Sequence, residues 1–375
     1  MQKKLIAVAV AGALGAPALV MAQSSTVQIY GRMTFEYSYV DRGAGTEKGD
    51  VLQTPGGTSV GLKGQEKLGG GLSAWFQCES SADVTIGGSG FCTRNSALGF
   101  KGGFGNVYIG RWDTPFKRAH SIGDGVGSED TGVQGNSRLT VGSSTGQVGV
   151  SNRGIWKRRQ ANTINYNSPK FGGFEVDASY SSVQATGLAA GAAEPRVWSI
   201  AGLYSAGPLA FGIGWEKHND FGGVGLDDTA WALAGRYKFG KVLVGAAFNK
   251  QDYDGAAGAS ADRKAWTLGV EFNVSGPHNI EASYTEADDV KGTAGFTPST
   301  LLPAPGANTG AKQWQIAYRH VLSKRTDARI AYVMVDNDSG TNSYTLNGIS
   351  SSPLPPAGSL GEKQSGVSLL VKHVF

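Results

Sequence analysis

After its first two dozen residues the chain has no uninterrupted apolar run of about 18 residues, so nothing there is built to cross a bilayer as a helix. Cysteine is almost absent: Cys78 and Cys92 are the only two among 375 residues, too few for a cysteine-ligated metal site. Histidine is scarce too. His120, His218, His278, His320 and His373 stand in no recognisable nucleophile or metal motif, which argues against an enzyme. Charge of one sign is also missing. Set apart Lys3 and Lys4, and 32 basic residues face 30 acidic ones, without the basic stripe a nucleic-acid binder would carry.

Glycine is abundant, at 57 residues, and predicts many tight turns. The amino-terminal end has its own character. Lys3 and Lys4 precede an apolar run from Leu5 to Val20 that closes in Val20-Met21-Ala22, the pattern of a secretory signal peptide over residues 1–22. Residues 23–375 form the expected mature domain, and in an exported chain the two cysteines read as a disulfide.

One pattern recurs along that domain. In VQIYGRMTFEYSYV at 27–40, Val27, Ile29, Met33, Phe35, Tyr37 and Tyr39 take one set of alternate positions. Gln28, Arg32, Thr34, Glu36 and Ser38 take the other, the period of a strand with one apolar face. AWALAGRYKF at 230–239 splits likewise, Trp231, Leu233, Tyr237 and Phe239 against Arg236 and Lys238. The segments around Trp266, Ile280, Trp314 and Ile330 repeat it.

Short connections such as GGFG at 102–105, SAGP at 205–208 and SGPHN at 275–279 alternate with long ones rich in Gly, Ser, Pro and Asp. Such alternation predicts an up-and-down meander with two unlike ends. A soluble sandwich would turn its apolar face inward and would not sort its connections by length. A membrane barrel explains both features, because hydrocarbon demands that every backbone group be paired in a closed sheet. The expected fold is therefore an all-β, transmembrane antiparallel up-and-down β-barrel of about 16 strands, wide enough for an aqueous channel. The chain ends VSLLVKHVF, a strand expected to close the cylinder against the first and to stop at Phe375.

These motifs resemble the general porins of Gram-negative outer membranes, most closely their betaproteobacterial branch. The resemblance spans the mature chain and rests on VQIYGR at 27–32, SVGLKGQEKLGGGLSAWFQ at 59–77, TRNSALGFKGGFGNVYIGRWDTPF at 93–116, RRQANTINYNSPKFGGF at 158–174 and the terminal HVF. It implies a 16-stranded homotrimer in the outer membrane, among lipid and lipopolysaccharide, passing small hydrophilic solutes and inorganic ions by diffusion. It implies no cofactor and no nucleic-acid partner. Phe375 is similar to the terminal signal read by the barrel-assembly machinery.

More than 40 residues separate Arg111 from Lys157 without a strand pattern, and connections that long are commonly functional. In porins the loop after the fifth strand folds into the barrel, and the segment at about 114–156 occupies that place. Its candidate acids are Asp124, Glu129 and Asp130; an exposed surface loop is the plain alternative, since Lys117, Arg118, Arg138 and Arg153 dilute them. Porins set a basic wall opposite that loop. Matching the motifs puts Arg32 on the first strand, Lys63 on the second, Arg94 on the fourth, Arg111 on the fifth and Arg159 on the sixth. Strand parity also turns Arg32, Lys63 and Arg159 to the polar face, leaves Arg111 undecided, and allows Arg32 to pair with Glu36 instead. Ser59 stands where the family commonly has a further arginine, so the expected anion preference is weak. Cys78 is expected at the end of the third strand and Cys92 at the start of the fourth, stapling a loop. A substrate-specific channel and a non-conducting structural or adhesin barrel remain alternatives.

Overall fold

The computed structural model describes residues 26–43, 48–88, 90–128, 132–146, 153–182, 189–296, 302–346 and 360–375. The expected signal peptide and two of the loop acids, Glu129 and Asp130, lie outside the described residues.

The strands run β1 (Thr26–Asp41), β2 (Gly49–Gln53), β3 (Ser59–Gly69), β4 (Leu72–Ser81), β5 (Ser96–Gly102), β6 (Gly105–Asp113) and β7 (Ser143–Gly146). They continue as β8 (Lys157–Asn167), β9 (Phe174–Ser181), β10 (Arg196–Ala206), β11 (Leu209–Gly223), β12 (Leu226–Phe239) and β13 (Val242–Asp254). The last are β14 (Ser260–Ser275), β15 (His278–Ala287), β16 (Lys291–Gly292), β17 (Ala311–Val321), β18 (Thr326–Asn337) and β19 (Lys363–Val374). β2, β7 and β16 are short strands within connections. The other sixteen pair antiparallel, each with its neighbour along the chain, as expected.

The sheet closes where β1 meets β19, in register from Arg32 opposite Val374 to Asp41 opposite Ser365. Beyond the last rung, Gly31 and Phe375 exchange both backbone hydrogen bonds at 3.0 Å. The terminal residue thus completes the seam, and no sheet edge remains to be satisfied in hydrocarbon.

Parity holds round the cylinder. Ile29, Leu98, Ile213, Leu233 and Leu369 are more than half exposed, while Glu36, Ser38, Gln251, Arg263 and Ser368 are fully buried, so the apolar face is the outer one. Such a molecule is inside out relative to a soluble protein. A charge on the outer face costs about 2–4 kcal/mol at the bilayer midplane, whereas one facing water inside costs little.

The alternation of short and long connections is looser than the sequence suggests. At the long-loop end, β11 and β12 are joined by Val224 and Gly225 alone, and β13 and β14 by residues 255–259. There the strands themselves are long, 15 residues in β11 and 16 in β14, and extend into what composition marks as loop.

The interior is divided. Helix α1 (Pro115–Asp124) opens the connection from β6 to β8 and packs on the inner face of β10–β14. Two apolar clusters bind the loop to the wall. One joins Val133 and Leu139 to Val40, Val333 and Val335; the other joins Phe116, Val141 and Trp156 to Tyr253. Glycine allows the approach: a Cβ on Gly269 would stand 1.7 Å from the Val126 carbonyl oxygen. The inner face of β3–β6 is left to the lumen, while Arg118 of α1 reaches Glu175 and Asp177 on β9.

Candidate pore constriction

The Thr114-Pro115 pair builds the loop's entry. Thr114 caps the helix, its side chain accepting from the Lys117 backbone N–H, and Pro115 occupies the first turn, where its missing N–H costs nothing. Phe116 N donates to Ser199 Oγ at 3.0 Å, fixing the start of the helix to β10. The loop then crosses to the seam, where Val133 N donates to Glu36 Oε1 at 3.2 Å, and Gln315 Nε2 reaches the Gln134 carbonyl at 3.0 Å. It returns past β13, whose Gln251 Nε2 donates to the Thr140 carbonyl at 2.7 Å, and leaves where Trp156 Nε1 donates to the Tyr253 hydroxyl at 3.0 Å. Its two ends thus meet against one wall, the Phe116 and Trp156 rings 6.1 Å apart.

Asp124 does not face the lumen. It is fully buried, accepting from Lys157 Nζ at 2.8 Å and from Asn136 Nδ2 at 3.0 Å. A helix laid against the far wall turns its last residue into the packing. Asp124 therefore anchors the loop.

On the opposite wall, Arg32 donates from Nε to the Gly57 carbonyl at 3.0 Å, and Lys63 holds its ammonium 4.9 Å above the Tyr30 ring. Arg94 lies two residues before β5 rather than on that strand as expected, and there it forms an ion pair with Glu79 and donates to the Gly56 carbonyl at 2.9 Å. Arg159 is nearly buried, bonding Asn95 at 2.6 Å and standing 3.4 Å from Asp113. Asp113 is shared with Lys117 of α1 at 2.7 Å. Arg111 sits opposite Ser96, at the bulge where β6 and β8 lose register between Gly110 and Trp112. Glu36 does not take the alternative role of counter-ion to Arg32: it accepts from Val133, Gln53 and Ser368. Glu79, Asp113 and Lys117 escaped the sequence reading, although Glu79 shares the inward parity of Gln77 and Asp113 directly precedes the helix signal TP.

Cys78 lies in β4 and bonds to Cys92, in the connection before β5 and four residues short of that strand. The bridge brackets the Glu79–Arg94 pair, since each cysteine is within two residues of one partner.

Sixteen closed staves, an apolar exterior, a loop packed over half the interior and a charged wall facing it define an outer-membrane diffusion channel. A family model described as Gram-negative porin matches residues 7–340, and the chain belongs to that family. The chain is similar to outer membrane porin protein 32 of Delftia acidovorans, with 27% identity over 384 residues and all of both chains covered. Among solved structures it is similar to an anion-selective porin from Comamonas acidovorans, with a TM-score of 0.73, 25% identity, and 94% of this chain and 100% of that one covered. It shares its fold with the trimer form of OmpT from Vibrio cholerae, with a TM-score of 0.65, 14% identity and the same coverage of both chains. The protein is an outer-membrane porin, a pore for passive diffusion.

Proposed function

We propose that this porin is a homotrimeric, non-enzymatic channel for inorganic ions and small hydrophilic solutes, with a weak preference for anions set at the constriction. One observation carries the reading. Arg32, Lys63, Arg94, Lys117, Arg118 and Arg159 gather on the inner wall of β1–β9 with four carboxylates, Glu79, Asp113, Glu175 and Asp177, among the described residues. Counting Glu129 and Asp130 against them, and Arg111 of the same wall with them, leaves seven cations to six acids, an excess small enough for a weak preference. Charges lining a narrow aqueous path select by sign, because the low-dielectric surround focuses their field. The solved anion-selective relative and the trimeric OmpT fold support the two remaining parts. Phe375, set at the seam, is the terminal residue proposed for recognition during assembly.

Reversal potential across a planar bilayer in a potassium chloride gradient tests the reading. Chloride is expected to permeate more readily than potassium, and replacing Arg94 and Arg159 together by Gln to lower that ratio about twofold. A cation-preferring native channel, or an unaltered ratio in the double variant, would reject it.

A further inference from the structure

The wall of β4–β6 carries three large rings that a water-filled lumen does not need. Trp75, Tyr108 and Trp112 form a closed cluster, with ring centroids 5.1–5.7 Å apart and two of the three contacts edge-to-face. Trp75 and Tyr108 alternate with Phe76 and Val107, which are exposed on the lipid side, so both rings point inward. Tyr108 is buried beneath the other two, while Trp75 and Trp112 are only half-buried and leave ring surface to the lumen. Their inward neighbours on β4, β6 and the adjoining β8 are polar: Gln77, Asn106, Thr163 and Asn165. Packing is not what calls for rings here, because this is the half of the barrel the loop leaves unfilled. A missing side chain also seats them. A Cβ on Gly99 would come within 2.8 Å of the Trp75 ring and 2.5 Å of Tyr108 Cβ. Trp75 Nε1 donates to Asn106 Oδ1 at 2.7 Å, which fixes the indole's orientation.

The cluster adjoins the constriction. Trp112 immediately precedes Asp113, which holds Lys117 and stands beside Arg159, so ring surface and excess positive charge share one stretch of wall. The same wall already lays a cation over a ring at Lys63 and Tyr30. We infer that Trp75 and Trp112, with the cations above them, form a weak binding site for aromatic carboxylates, the ring resting on the indoles and the carboxylate turned to Lys117 and Arg159. An aliphatic anion would gain only the charge, and a neutral ring only the stacking. The inference rests on the positive constriction proposed above.

The test uses the full-length protein in planar bilayers with potassium chloride as carrier. Benzoate is titrated against acetate, which has the charge without the ring, and benzamide, which has the ring without the charge. Benzoate is expected to block the current saturably at a concentration about tenfold below either control. In W112L the ratio of the acetate to the benzoate half-blocking concentration is expected to fall to about one; if W112L does not insert, W75L carries the same expectation. Equal block by benzoate and acetate, or a ratio unmoved in the variant, overturns the site. A cation-preferring native channel in chloride alone would fail the charge reading separately, and that measurement precedes any benzoate.

Discussion

The two halves of the barrel interior use charge in opposite ways. Where the loop lies against the wall, charged groups are buried and matched by it: Lys157 of β8 with Asp124, Glu36 of β1 with the Val133 amide, and Arg263 of β14 with the Thr140 carbonyl. Along β3–β6, charges are strung along an open wall, and the cations Lys63, Arg94 and Arg111 outnumber the acids Glu79 and Asp113 set beside them. The first half is a packed core that happens to be polar, where each group depends on its partner. The second is a field, where partners only reduce what reaches the solute. Removing a charge should therefore cost stability on one side and selectivity on the other.

Asp124→Ala would break the contrast most severely. It withdraws a carboxylate from a buried lysine, a loss of about 3–5 kcal/mol. The urea midpoint should fall and the open-channel current should become noisier as α1 loosens; a variant with native midpoint and quiet current would show that the loop does not depend on this pair. Replacing both cysteines by Ser removes a cross-link over about 15 residues, worth about 3 kcal/mol in the chain-entropy model. Its sharper readout is selectivity, because Cys78 and Cys92 bracket the Glu79–Arg94 pair: the reversal potential should change on this side of the barrel, whereas Asp124→Ala should leave its sign alone. The smallest effect is expected of Gly269→Val, which forces Val126 off the wall at about 1–3 kcal/mol. Displaced toward the open half, the loop should narrow the path and lower single-channel conductance; unchanged conductance would mean that the wall yields instead.

Strand parity read from sequence places Arg32 and Glu36 inside correctly, because lipid on one face and water on the other enforce a strict period of two. It also finds the seam at Phe375, while the pair Cys78–Cys92 follows from there being two cysteines in an exported chain. Asp124 escapes it. Whether a loop acid faces the lumen depends on which wall the loop lies against, and Lys157 and Asn136, its partners, are 33 and 12 residues away. The helix at 115–124 was legible in Thr114-Pro115 but hidden by its glycine-rich surroundings. The tight β11–β12 hairpin is not visible in the sequence, because its polar ends, HNDF and LDD, have a loop's composition although they lie within the strands.

Glu36 has a further consequence, for the order of assembly. Its carboxylate, on the first strand, accepts both from Ser368 Oγ on the last strand, at 2.7 Å, and from the loop at Val133. Before the seam zips, Ser368 is elsewhere and the carboxylate's site is only half made. The clasp that holds the loop across the lumen is thus completed by the final strand pairing, so the bore reaches its working width last, once the cylinder has shut.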